Sequence, residues 1–270
     1  MTAPAHGDGT PEPFADTWVV MPTYDEAENL EAIAGAVLEN LPGCTLLVVD
    51  DNSPDGTGQI ADRLAAGTGR VRVLHRAGKQ GLGKAYIAGF RCALGEGARR
   101  VVQMDADWSH DPRYLPAMVS KLAAPDDGSA GASADVVIGS RYVPGGGVTN
   151  WGLMRRFISR GGSVFAGTVL RLQVHDLTAG FKAWRSSTLA TIPFDALHAG
   201  GYGFQVEMAF LADRLGATIV EHPIVFPDRR VGVSKMSRRI FAEALFVVLT
   251  LRWEELRGRS AVSRRTSRPA

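Results

Sequence analysis

Three times before residue 100, a short run of apolar residues gives way to a stretch with helical spacing. Thr17-Trp-Val-Val-Met-Pro22 predicts a buried strand, and Leu30, Ile33, Ala34, Val37, Leu38 and Leu41 then recur as the apolar face of a helix that Pro42-Gly43 ends. Thr45-Leu-Leu-Val-Val49 predicts a second strand and residues 58–66 a second helix. Arg70-Val-Arg-Val-Leu-His75 and a helix over 85–94 repeat the pattern, and Val101-Val-Gln-Met starts a fourth strand. Strands that are apolar throughout, instead of alternating, are covered on both faces. With helices between them they imply an α/β fold: a Rossmann-like, mostly parallel sheet with right-handed crossovers and flanking helices.

Such sheets bind ligands beyond the carboxyl ends of their strands. Polar motifs stand at those ends here: Tyr24 and Glu26 after the first strand, Asp50 and Asp51 after the second, Asp105 and Asp107 after the fourth. Three acidic clusters should therefore converge on one edge. Hard divalent cations prefer oxygen ligands and are usually held by one or two carboxylates plus substrate phosphates, so Asp-x-Asp at a strand end suggests a metal–diphosphate site. The tripeptide does not decide this alone, because aspartate also suits turns. Gly78-Lys-Gln-Gly-Leu-Gly-Lys84 lacks the spacing of a P-loop and reads as a flexible loop.

The second half predicts a helix over 113–123, a polar loop over 125–133 and a strand over 134–139 leading into Ser140-Arg-Tyr142. A helix over 155–172 mixes Arg155, Arg156, Arg160 and Arg171 with large apolar residues. Lys182-Ala-Trp-Arg185 suits a further strand, and residues 203–215 a helix carrying Glu207. Residues 218–226 form a strand whose proline puts it at an edge, and 238–255 a last helix. A chain of 270 residues is long enough for a sizeable core. The expected division is a disordered tail over 1–16, one catalytic domain over 17–256, and a basic disordered tail over 257–270. The net charge of +2 hides its distribution: five basic residues and no acid lie between Arg229 and Arg239, and five arginines and no acid follow Leu256. Such patches suit phosphorylated substrates or anionic lipid. A nucleic-acid binder is disfavoured, since no recognised binding motif occurs and acids crowd the strand ends. Cys44 and Cys92 make neither a metal-ligand pattern nor a disulfide framework. The first residues lack a secretory leader's basic start and apolar core, and no uncharged run reaches the roughly 18 residues of a membrane span.

Five segments, in order, resemble the polyprenol-phosphate mannosyltransferases, also called dolichol-phosphate mannose synthases. They are Val19-Val-Met-Pro-Thr-Tyr-Asp-Glu-Ala-Glu-Asn-Leu30, Val48-Val-Asp-Asp-Asn-Ser-Pro-Asp-Gly-Thr57, Met104-Asp-Ala-Asp107, Gly139-Ser-Arg-Tyr142 and Gly232-Val-Ser-Lys235. These are family 2 glycosyltransferases with the GT-A fold, and the resemblance spans about residues 17–256.

The resemblance implies transfer of mannose from GDP-mannose to a polyprenyl phosphate with Mg²⁺ or Mn²⁺. It implies that Pro22, Tyr24, Glu26, Val49 and Asp51 line the guanosine pocket, and that Asp105, Ala106 and Asp107 meet the nucleotide-sugar. Asp107 would ligate the metal. Relatives often place a glutamine ligand where this chain has Ser109, which leaves the metal's other protein ligand open. Arg141, Arg229 and Lys235 would meet the donor diphosphate, with Arg229 and Lys235 in the catalytic set beside Asp105 and Asp107. Arg155 and Ser159 match positions on the side of the acceptor phosphate. An acceptor that is already anionic needs no strong base, so single displacement with inversion is expected. With no spanning segment, the expected place is the cytoplasm, peripheral on the inner face of the membrane. The contacts there would be the helices at 155–172 and 238–255, with room for a separate integral membrane partner. Two other readings stand beside this one: a sibling enzyme moving glucose or an aminosugar from a UDP-sugar, and a non-catalytic nucleotide-binding subunit.

Overall fold

β1 (Thr17–Thr23) lies between β2 (Thr45–Asp50) and β4 (Arg100–Gln103), parallel to both, and β3 (Val71–His75) adds to the far side of β2. The computed structural model describes residues 12–122, 134–197, 203–227 and 238–258. The helices between these strands are α1 (Leu30–Asn40), α2 (Thr57–Gly67) and α3 (Leu82–Gly95). Successive residues of a strand face opposite sides, and β1 is apolar on both. Trp18 and Val20 enter one core with Leu47, Val49, Tyr86 and Phe90; Val19 and Met21 enter the other with Leu46, Val48, Leu30 and Ile33. Each fully buried side chain of this size contributes about 1.5–3 kcal/mol relative to exposure. α3 lies against the sheet so closely that a Cβ on Gly89 would stand 2.3 Å from Val20 Cγ1.

After α4 (Leu115–Ser120) come β5 (Val136–Ser140) and a short ribbon strand, β6 (Gly147–Val148), then α5 (Leu153–Leu170), β7 (Lys182–Arg185), α6 (Ser186–Leu189), α7 (Gly203–Arg214), β8 (Ile219–Pro223), β9 (Val225–Phe226) and α8 (Arg238–Leu256). The main sheet runs β3-β2-β1-β4-β7-β5-β8, and β6 pairs with β9 apart from it. β7 is antiparallel to β4 and β5; all other pairs in the main sheet are parallel. The Rossmann-like expectation holds, with β8 at the edge as its proline required. The predicted helix over 113–123 is a 3-10 turn (Pro112–Tyr114) and the two turns of α4, because Pro112 and Pro116 set its start and little apolar periodicity follows Leu122. Residues 12–16 correct the expected tail. They form a turn in which the Asp16 carboxylate pairs with the Arg100 guanidinium.

Where β7 crosses β4, Lys182 is in register with Gln103, and both are fully buried. Lys182 Nζ donates to the backbone carbonyl of Gln205 at 2.8 Å and to Gln205 Oε1 at 3.0 Å; Gln103 Nε2 donates to the same Oε1 at 2.7 Å. Burial pulls the Lys182 pKa down from 10.5 to about 7, against a smaller opposing pull from Asp176. The unfolded chain holds this proton up to about pH 10.5, so folding releases it between the two values and stability rises with pH in that window. Urea titrations of wild type and Lys182→Met, whose other groups titrate alike, should show wild-type stability gaining on the variant by about 1 kcal/mol per pH unit from pH 7 to 9. A difference that stays flat over that range contradicts the buried lysine's titration.

Candidate active site

The loops after β1 and β2 are wired together by carboxylates. Asp50 accepts from Thr23 Oγ1 (3.2 Å), Ser53 Oγ (2.6 Å) and Ser53 N–H (3.2 Å). Asp55 accepts from the Ala27 N–H (3.0 Å) and from the Thr57 hydroxyl (2.6 Å), while Thr57 Oγ1 accepts from the Glu26 N–H (3.0 Å). Burial opposes the Asp55 charge, yet the bonds from Thr57 and Ala27 outweigh it and hold the carboxyl below its ordinary value. Asp50 and Asp55 are thus the braces of these loops, and Asp51 is left to face the cavity. Burial raises the Asp51 pKa, and the paired Arg76 guanidinium offsets part of that rise.

Beyond β4 the chain turns sharply, with Trp108 at φ 62°. Asp105 Oδ1 accepts from the Tyr86 hydroxyl at 2.5 Å, and the Asp105 N–H donates to His110 Nδ1 at 2.9 Å. The His110 ring stacks on Phe181 at 4.9 Å. Asp107 Oδ1 accepts from the Ser109 N–H at 3.1 Å. This turn is held from two sides, by α3 through Tyr86 and by Phe181, the residue just before β7. Asp105, Ala106, Asp107 and Ser109 all line one cavity of about 370 Å³. Pro22, Tyr24, Glu26 and Asp51 line it too, so three strand ends converge as the parallel sheet requires.

Arg141, Arg155 and Ser159 form the far wall. Arg141 is bound through Nε and Nη2 to Asp176 at 2.7 and 2.6 Å, and its guanidinium lies among the Tyr142, Trp151 and Phe226 rings at 5.2–5.4 Å. Arg155 lies over the Trp151 ring at 4.0 Å, and Ser159 Oγ accepts from the Tyr142 hydroxyl at 2.7 Å. Past them the wall turns apolar, with Ile158, Phe165, Ala166, Val206, Leu245 and Val248.

One expected lining residue is missing from this cavity. Val49 does not line it: the side chain is fully buried, packed beneath α3. Arg229 and Lys235 lie outside the described residues. Other lining residues escaped the sequence reading. Lys79, Gly81 and Leu82 come from the glycine-rich loop, where Lys79 Nζ sits 3.7 Å over the Tyr24 ring. Their position after the third parallel strand was the signal. Gly180, Gln205 and Val206 reach the cavity only because β7 inserts beside β4, and no local motif announces that insertion.

The arrangement offers four carboxylates, Glu26, Asp51, Asp105 and Asp107, and at least three cationic side chains beside an apolar annex. It suits a charged, partly neutralised group at one end and a hydrocarbon at the other.

Residues 18–192 match the family model described as glycosyl transferase family 2. An undecaprenyl-phosphate mannosyltransferase of Micrococcus luteus is 48% identical over 244 residues, covering 89% of this chain and 97% of that protein. A polyprenol monophosphomannose synthase of Mycolicibacterium smegmatis is 44% identical over 240 residues, 88% of each chain. Among solved structures, glucosyl-3-phosphoglycerate synthase from Mycobacterium tuberculosis, in complex with Mn²⁺, UDP-glucose and phosphoglyceric acid, superposes with a TM-score of 0.64 at 20% identity. That match covers 91% of this chain and 85% of the other, and it bears on the fold alone. The chain belongs to glycosyl transferase family 2, among the polyprenol-phosphate mannosyltransferases.

Proposed function

We propose that this chain transfers mannose from GDP-mannose to a polyprenyl phosphate, with inversion, giving a β-linked lipid phosphomannose and GDP. The observation that carries the reading is the single cavity in which Asp105 and Asp107 face Arg141 and Arg155 and which then opens onto apolar side chains. A nucleoside-diphosphate donor and an amphiphilic phosphate acceptor need those two environments side by side.

A divalent cation fits the carboxylate pair. Asp105 Oδ2 takes no hydrogen bond among the described residues, and Asp107 is held beside it by the turn. Mg²⁺ or Mn²⁺ bound by Asp107 and Asp105, with Ser109 close by, would offset negative charge on the departing diphosphate. The chain's own residues do the rest. Tyr24, Glu26 and Asp51 hold the nucleoside, with Glu26 and Asp51 able to accept from ribose hydroxyls or a base edge. Arg155 and Ser159 orient the acceptor phosphate, and Arg229 and Lys235 add cations over both phosphates. One acceptor phosphate oxygen forms a bond to the anomeric carbon of mannose as the bond from that carbon to the GDP oxygen breaks. No proton has to be abstracted, because the nucleophile is already an anion; positioning and charge compensation carry the reaction.

The acceptor's lipid tail places the enzyme at a bilayer surface, on the cytoplasmic face, peripherally and with room for a separate membrane-embedded partner. No helix among the described residues is long and apolar enough to cross a membrane. Met154, Phe157 and Val164 on α5 are 71, 77 and 61% exposed, and Phe246, Leu249 and Trp253 on α8 are 71, 55 and 56% exposed. Their spacings of three, four and seven residues put each set along one helical stripe, and α5 packs against α8. Exposed apolar stripes on paired helices suit insertion into the headgroup region.

Two outcomes follow. The lipid product made from GDP-mannose should show the β anomer by NMR, and Asp107→Ala should lower its rate by at least about 100-fold; an α product contradicts single displacement. Wild-type protein should co-sediment with vesicles containing anionic lipid, and Phe157→Ser with Trp253→Ser should weaken that binding by about tenfold or more. Equal binding by the double variant removes the helices from the lipid contact.

A further inference from the structure

Gln205 stands at the start of α7, 3% exposed, and lines the cavity beside Gly180 and Val206. Its side-chain oxygen is claimed twice, by Lys182 Nζ and by Gln103 Nε2. A protonated Lys182 only donates, to this oxygen and to the Gln205 backbone carbonyl. While Lys182 carries its proton the amide is held one way round: oxygen faces Lys182 and the NH₂ group faces away. That NH₂ group has no hydrogen-bond partner among the described residues, and Gln205 lines the cavity. The residue is also fixed along the chain, because the Phe204 ring stacks on Tyr86 at 6.2 Å and 3°, and Tyr86 holds Asp105.

From this geometry we infer that Gln205 is a specificity residue whose amide N–H donates to one hydroxyl of the transferred sugar, and that Lys182 is the positioning residue that fixes the amide's direction. The surroundings favour a neutral partner. The cavity's cations, Lys79, Arg141 and Arg155, come from other elements, whereas Val206 follows Gln205 on α7 and Gly180 lies against the His110 ring and the Asp105 carboxylate. An uncharged amide donor tied through Phe204 and Tyr86 to the Asp105 carboxylate matches a neutral sugar hydroxyl better than an anionic phosphate. A buried donor left without its acceptor costs far more than an ordinary hydrogen bond returns, so such a group discriminates strongly against a donor lacking that hydroxyl.

The inference rests on the proposed sugar transfer, and its test separates the two. Transfer to polyprenyl phosphate is measured for GDP-mannose and for its 2-, 3-, 4- and 6-deoxy analogues, with wild type, Gln205→Met and Lys182→Met, alongside GDP affinity. Wild type should penalise one deoxy donor by about tenfold or more in kcat/KM. Gln205→Met should lose about that factor with GDP-mannose, erase the penalty for that one analogue, leave the other penalties in place and bind GDP as wild type does. Lys182→Met, which frees the amide to turn, should shrink the same penalty and no other. A uniform loss across all donors with every penalty intact, or a loss of GDP affinity matching the loss of rate, overturns the role of Gln205 while leaving mannosyl transfer standing. No transfer by wild type from any of these donors, with GDP still bound, overturns the parent reading and the inference with it.

Discussion

The structure depends on a central strand buried on both faces. β1 has no polar side to give to water, so helices must cover it above and below, as the crossovers to its parallel neighbours do. Val20 and Val49 sit beneath α3 with so little room that Gly89 carries no Cβ. The same burial drives the loops after β1, β2 and β4 out of one edge together. Nothing else in the fold could bring Tyr24, Asp51 and Asp105 to a common cavity.

The site is then built in two layers. Some charges are structural: Asp50 and Asp55 tie loops, and Asp176 holds Arg141. Others face the cavity: Asp51, Asp107 and Arg155. Adjacent residues of one type divide between the layers, as Asp50 and Asp51 do. Breaking a buried pair such as Arg141–Asp176 by removing one partner strands the other charge, which costs more than the pair contributes. Apolar surface follows the charged wall directly, so a reaction between a sugar diphosphate and a lipid phosphate takes place where both environments meet.

Much of this was legible in the sequence. Strand–helix alternation gave the parallel half of the sheet, and polar motifs at strand ends gave Tyr24, Glu26, Asp51, Asp105 and Asp107, because a parallel sheet makes strand ends neighbours. The resemblance to known transferases pointed to Arg155 and Ser159, which local pattern alone would have left as surface polar residues, and added a role for Arg141 at the end of the fifth strand. It also assigned Val49, whose buried side chain stands in the core beside the motif it belongs to. What stayed hidden was long-range pairing. β7 is four residues long and antiparallel, and its place between β4 and β5 is fixed by packing across about 80 residues of sequence. Gln205 becomes a cavity residue only through that placement. Lys79 was visible but misread, since its loop lacks a phosphate-binding spacing and the cation–π contact to Tyr24 depends on two strand ends meeting.

The central claim concerns donor and acceptor together, and one measurement addresses both. The protein is incubated with polyprenyl phosphate and Mg²⁺ and either radiolabelled GDP-mannose or radiolabelled UDP-glucose, and label is counted in the organic-extractable phase. The account predicts lipid-phase label from GDP-mannose and none above background from UDP-glucose. Label from UDP-glucose alone, or none from either donor while GDP still binds, would contradict it.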